Sequence, residues 1–224
     1  MKFSLILFDI DGTLINTAGA GVKAFGQAFA SEFGVRDGSK NIQFAGRTDV
    51  SLVREIFTRE QIESTPENFA RFFEAYLVWL RQLIVQCQGR ACPGVLEFQQ
   101  ALAALPAPPL SGLLTGNIRR GAEVKLRRYQ LWDQFPFGGF ADDHEDRDQI
   151  AAVAHRRGSE HLGRNLRGDE VLVIGDTPLD IRCARAIGAK VLAVATGNFT
   201  VAQLQEHRPD WAVPDLSKIS PGQL

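Results

Sequence analysis

Two carboxylates one residue apart, Asp9 and Asp11, follow directly on a short apolar run from Phe3 to Phe8 and lead into Gly12 and Thr13. Strand side chains alternate between faces, so acids two positions apart emerge on the same side. Two anions held together are costly unless a cation joins them or one keeps its proton. The pair therefore suggests a metal-assisted site in which one carboxylate is the nucleophile and the other moves protons. Two further strand-like runs end in polar residues. Thr115, Gly116 and Asn117 follow residues 110–114, while Gly175, Asp176, Thr177, Pro178 and Asp180 follow residues 170–174. If these ends share one sheet edge, they supply four carboxylates, a hydroxyl and turn amides able to hold phosphate oxygens. Oxygen donors with no sulfur or imidazole nearby suit Mg²⁺ better than zinc.

The elements that must position these groups can be read from periodicity. Phe3 to Phe8 has the length and composition of a buried parallel strand. Beyond it, Val22, Phe25, Phe29 and Phe33 are spaced as one helix face, and Gly34 stands where a helix stops. A second helix carries Leu52, Val53, Ile56 and Phe57. A third and longer one carries Phe69, Phe73, Tyr76, Leu77, Leu80 and Ile84. Residues 15–91 therefore read as an all-helical insertion with no strand. The phenylalanines within it are better suited to a helix-bundle core than to a ligand cage. From residue 92 onward helices alternate with strands at 110–114, 139–141, 170–174, 190–195 and 211–213. Such alternation argues for a doubly wound parallel sheet covered on both faces, formed by residues 1–14 and 92–224. Ligands of such sheets bind at the carboxyl ends of the strands.

The chain has 224 residues, 45% hydrophobic and 23% charged, with a formal net charge of −1. That balance gives no electrostatic reason to expect nucleic acid or an anionic membrane as partner. Phe3 to Phe8 is too short for a membrane span and is too soon followed by acids to be a signal-peptide core. Cys87, Cys92 and Cys183 form neither a close pair nor a metal cluster with the four histidines. A reduced, cytoplasmic setting is expected. Oligomeric state has no signature here.

With the three strand-end motifs in this order, the chain resembles the haloacid dehalogenase superfamily, in its phosphoglycolate-phosphatase-like branch with a helical cap after the first strand. The resemblance implies a Rossmann-like α/β core, residues 15–91 as the cap, and a Mg²⁺-dependent phosphatase acting on a small phosphate ester such as phosphoglycolate or a sugar phosphate. Asp9 would form an aspartyl-phosphate, and Asp11 would protonate the leaving oxygen and then deprotonate water. Thr115, with the amides of Gly116 and Asn117, would bind the transferred phosphoryl group. Asp9, the backbone carbonyl of Asp11, and Asp176 would hold Mg²⁺, with Asp180 assisting.

A carboxylate attacking a phosphate dianion also needs a fixed cation. The family's usual lysine before the last motif is missing, and residues 144–148 offer only Arg147. Lys125 is favoured over Arg147, because a compact ammonium can contact Asp9 and phosphate together. In the insertion, Gly46, Arg47, Thr48 and Asp49 form the most suggestive stretch, with Arg47 and Thr48 as candidates for the far end of the substrate. A phosphomutase of the same fold shares every motif. A C–halogen hydrolase would not need Asp11 and Asp176, and a phospho-aspartate regulatory module would not keep an acid/base at Asp11.

Overall fold

The computed structural model describes residues 2–224. Leu5–Phe8 form β1, and all four side chains are fully buried. Alternation sends Ile6 and Phe8 into one core layer and Leu5 and Leu7 into the other, so the strand has no face for water. The strands Leu110–Leu114 (β4), Gly138–Gly139 (β5), Val171–Gly175 (β6), Lys190–Val194 (β7) and Trp211–Val213 (β8) complete a six-stranded sheet. Its order is β5-β4-β1-β6-β7-β8, with every pairing parallel. The helices Val95–Ala103 (α4) and Arg119–Arg128 (α5) contribute to the layer containing Ile6 and Phe8. Arg147–His161 (α6), Pro178–Ala186 (α7) and Val201–Glu206 (α8) pack on the Leu5 and Leu7 side. The expected doubly wound α/β sheet is therefore present. The chain builds outward from β1 to β4 and β5, then crosses to β6 on the other flank. This switch in winding opens a crevice at the carboxyl end of β1.

Between β1 and β4 lie Ala20–Phe33 (α1), Asp49–Arg59 (α2) and Pro66–Gln86 (α3). Their starts and stops follow local chemistry. The hydroxyls of Thr48 and Thr65 cap α2 and α3 by accepting backbone N–H groups of Ser51 and Asn68, each at 3.2 Å. Gly34 closes α1 at φ 70°, a left-handed conformation that costs glycine little. The three helices share an apolar cluster in which Phe25 and Phe72 meet edge to face at 4.9 Å between ring centroids. Phe72 is fully buried here, although the helical spacing pointed to Phe69 and Phe73, which are only partly covered.

One expectation is corrected at the edges of this helical unit. Ile15–Asn16 (β2) and Arg90–Ala91 (β3) form a short antiparallel ribbon where no strand was anticipated. Two residues per strand are too few to show alternation, so only the pairing of Ile15 with Ala91 and of Asn16 with Arg90 reveals them. The ribbon ties together the two chain crossings that connect α1–α3 to the sheet.

Candidate active site

Asp9 comes directly after β1, Thr115 after β4, and Asp176 after β6, so three adjacent strands deliver them to one edge. They line a cavity of about 250 Å³ between the sheet and the helical unit, together with Asp11, Gly116, Asn117, Lys125, Arg147 and Arg47. A volume at the low end for ligand pockets suits a small metabolite.

Asp9, Asp176 and Asp180 are buried, and each offers a carboxylate oxygen within 4.8 Å of the others. Burial pushes the Asp9 carboxyl up to about 7, with the Arg147 guanidinium opposing and Asp180 adding to the rise. Burial also holds Asp176 well above the usual carboxylate range, reinforced by the charges of Asp9 and Asp180. Three such acids need positive charge, and an all-oxygen donor set fits a hard divalent cation. The surrounding backbone leaves room for Asp176. Side chains at Gly12 or Gly197 would collide with its carboxylate, and Gly12 adopts φ 85°. The hydroxyl of Thr13 donates to Asp176 Oδ1 at 3.2 Å.

The two candidate cations both enter the site, on different acids. Arg147 Nη2 donates to Asp9 Oδ1 at 2.8 Å and to Asp180 Oδ1 at 2.5 Å, while Nη1 donates to the Gly46 carbonyl at 3.1 Å. Lys125 Nζ donates to Asp11 Oδ2 and Asn117 Oδ1, both at 2.6 Å. The expectation that the Lys125 ammonium would lie on Asp9 is thus replaced by a different geometry: the guanidinium takes Asp9, and the ammonium takes Asp11. The reason is placement. Arg147 opens α6, whose first turn points back at the sheet edge, whereas Lys125 lies nearly two turns into α5. A cation at a helix N-terminus opposes the helix dipole, and here two buried carboxylates compensate.

Asp11 differs from Asp9 in its surroundings. Its Oδ2 also accepts from Asn117 Nδ2 at 2.9 Å, and its Oδ1 accepts no hydrogen bond from any described residue. Asp180 is committed on both oxygens. Oδ2 accepts the backbone N–H and the hydroxyl of Thr177, at 2.9 and 2.7 Å, in a capping box at the start of α7, and Oδ1 accepts from Arg147. Thr115 Oγ1 accepts Asn117 Nδ2 at 2.7 Å, so strand end and loop form one network.

The helical unit is docked against this edge. Asp49 N–H donates to the Gly116 carbonyl at 2.7 Å, and Asp49 Oδ2 accepts the Ile118 N–H at 2.8 Å. A side chain at Gly116 would overlap the Arg47 carbonyl. Thr48 stands apart from the cavity lining, its hydroxyl donating to the Glu145 carbonyl at 2.8 Å. Arg47 lines the cavity but is paired with Glu55. Among the lining residues that sequence did not propose as site residues are two titratable ones, Asp49 and Tyr76. Burial pushes Asp49 up to about 7 against the opposing charge of Lys125, and burial also raises the Tyr76 phenol. Helical spacing had already assigned Tyr76 to the core. It is almost fully buried, yet it also reaches the cavity.

A sequence model of the haloacid dehalogenase-like hydrolases matches residues 6–194, most of the chain, including Asp9, Asp11, Thr115, Lys125, Arg147, Asp176 and Asp180. The chain belongs to the haloacid dehalogenase-like hydrolase family. Among curated relatives of this hydrolase, "Putative pyrophosphatase PpaX" of Caldanaerobacter subterraneus subsp. tengcongensis is 23% identical over 221 residues, covering 98% of this chain and 94% of that protein. "Probable phosphatase IndB" of Dickeya dadantii is 28% identical over 228 residues, covering 96% and 91%. The fold is shared with a crystal structure of a "predicted phosphoglycolate phosphatase" from Haemophilus somnus 129pt, with a TM-score of 0.72 at 20% identity, covering 97% of this chain and 96% of that one. No helix among the described residues is long and apolar enough to cross a membrane.

Proposed function

We propose that this hydrolase cleaves a small phosphate monoester by attack of the Asp9 carboxylate, passing through an aspartyl-phosphate. The enzyme is a phosphatase in this reading, and the names of its relatives agree with it. The observation that carries the reading is the division of charge at the cavity. Asp9 belongs to the acid cluster and is paired with Arg147, whereas Asp11 is held separately by Lys125 and Asn117 with one oxygen free. Two neighbouring carboxylates with unlike partners can take unlike roles.

Asp9 would attack phosphorus, and its Oδ1 is oriented by Arg147. Asp11 Oδ1 would give a proton to the departing oxygen and later take one from water, while Lys125 and Asn117 fix the other oxygen. Thr115 and the amides of Gly116 and Asn117 would hold the phosphoryl oxygens, with Arg147 adding positive charge. Asp9, Asp176 and the Asp11 backbone carbonyl would hold Mg²⁺, with Asp180 supporting from the same acid cluster. When bound, it supplies charge against the phosphoryl oxygens. Residues 15–91 would act as a cap moving on the β2–β3 ribbon, excluding water while docked.

The test is hydrolysis of para-nitrophenyl phosphate with Mg²⁺ and with chelator, in wild type and Asp9→Asn. The expected result is Mg²⁺-dependent phosphate release that the variant loses while staying folded. Retained turnover in Asp9→Asn would reject the nucleophile.

A further inference from the structure

The helical side of the cavity carries a recognition surface separate from the phosphoryl-binding edge. Tyr76 on α3 lines it, and its hydroxyl makes no hydrogen bond to any described residue although the side chain is 1% exposed. Asp49 on α2 lines it too. Its Oδ2 is used by the Ile118 N–H, and its Oδ1 accepts nothing from any described residue. The Tyr76 hydroxyl and Asp49 Oδ1 have no protein partner among the described residues and belong to side chains that line the cavity, so both are available to ligand polar groups. The same cavity is also lined by the apolar side chains of Val22, Phe25, Phe44 and Leu52.

The cations of the cavity are already engaged. Arg147 is held by Asp9 and Asp180, Lys125 by Asp11 and Asn117, and Arg47 by Glu55 at 2.5 Å. A leaving group with its own carboxylate or phosphate would meet Asp49, and would have to displace Glu55 from Arg47 to gain a cation. A leaving group with hydroxyls would find an acceptor, a donor and an apolar surface for its C–H faces.

We propose that Asp49 and Tyr76 are specificity-determining residues that select phosphate monoesters with an uncharged, hydroxyl-bearing leaving group and discriminate against anionic ones. The inference rests on the phosphatase reading above and narrows its substrate class. It also separates this enzyme from a pyrophosphatase, despite the names of two relatives.

The experiment compares kcat/KM for glycerol phosphate and a hexose phosphate with that for phosphoglycolate and pyrophosphate at about pH 8.5, above the value of about 7 to which burial raises Asp49, so that its carboxylate is ionised, using para-nitrophenyl phosphate as the generic control. Wild type is expected to favour at least one hydroxyl-bearing ester over both anionic compounds by roughly a hundredfold or more, well within the range that sites built to hydrogen-bond a hydroxyl reach. Asp49→Asn should shift the ratio of anionic to hydroxyl-bearing substrate at least about tenfold toward the anionic compounds. Tyr76→Phe should raise KM for the hydroxyl-bearing ester about three- to tenfold relative to its KM for the aryl ester, the value of one neutral hydrogen bond. Comparable wild-type use of pyrophosphate or phosphoglycolate overturns the proposal. So do unchanged ratios in folded variants. The wild-type ratios decide the matter even if a variant fails to fold. No aryl phosphate hydrolysis at all would instead reject the phosphatase reading.

Discussion

Replacing Arg147 by alanine removes the charge on which the acid cluster depends. The guanidinium lies 2.8 Å from Asp9 and 2.5 Å from Asp180, with side-chain exposures of 4%, 8% and 1% for the three groups. Removing one member of a buried ion pair costs about 3–5 kcal/mol, because the abandoned charges keep their desolvation penalty. Protonation limits that cost, since burial already pushes Asp9 up to about 7 with Arg147 in place. Without the guanidinium the Asp9 carboxyl rises further, so fewer molecules carry the nucleophilic carboxylate at neutral pH. Urea unfolding of Arg147→Ala without divalent cation should show a loss of about 3 kcal/mol. Turnover at neutral pH with Mg²⁺ should fall about a hundredfold or more, because the charge that orients Asp9 Oδ1 is gone. Mg²⁺ should restore part of the stability, because a second cation then serves the same acids. Lys125→Ala is the matched comparison. Its partner Asp11 has a side chain 41% exposed, so water can take over the lost interaction and the stability cost should be smaller. Stability of Arg147→Ala within about 1 kcal/mol of wild type, with turnover within about threefold, would refute the reasoning. A larger stability loss in Lys125→Ala would refute it too.

Asp49 gives a pH prediction for stability. Its carboxyl is raised from 3.8 to about 7 by burial, so the folded protein holds a proton that the unfolded chain releases. That contribution is complete below the unfolded value and is lost as pH rises toward the folded value, by at most about 4 kcal/mol. Asp49→Asn should flatten the dependence between about pH 4 and pH 7 in chemical unfolding, and should gain on wild type as pH rises. A parallel pH profile in the two proteins would contradict the assignment. Gly116→Ala should cost about 1–3 kcal/mol and reduce kcat/KM at least about tenfold, because the new methyl displaces the Arg47 carbonyl and the docked helical unit. Wild-type stability and activity in that variant would show that the close approach is not required.

Much of the candidate site was legible in sequence because strand ends are marked by short-range patterns. The run before Asp9, the pause at Thr115 and the turn after Gly175 each give a strand and its terminal residue together, and parallel pairing then brings the three ends to one edge. Asp180 could be read either as a site residue or as a helix-start acid. It is in contact with both, through Arg147 and through Thr177. What sequence could not supply were relationships between elements. Whether Lys125 or Arg147 meets Asp9 depends on how far each lies along its helix from the sheet edge. The β2–β3 ribbon has no local period to detect. Tyr76 followed the helical spacing of a core residue, and nothing in that spacing says that the core it joins borders a cavity. Thr48 was selected with Arg47 as a pair, but the N-cap of α2 turns its hydroxyl toward Ser51 and Glu145 instead.

The central claim is that Asp9 carries the phosphoryl group during turnover. The direct measurement is rapid acid quench of the enzyme mixed with para-nitrophenyl phosphate and Mg²⁺, followed by peptide mass mapping. The account predicts a transient phosphoryl group on the Asp9 peptide of wild type, its accumulation in Asp11→Asn as hydrolysis slows, and its absence in Asp9→Asn. Substrate turnover with no phosphoryl group on that peptide at any quench time, together with an active Asp9→Asn enzyme, would contradict it.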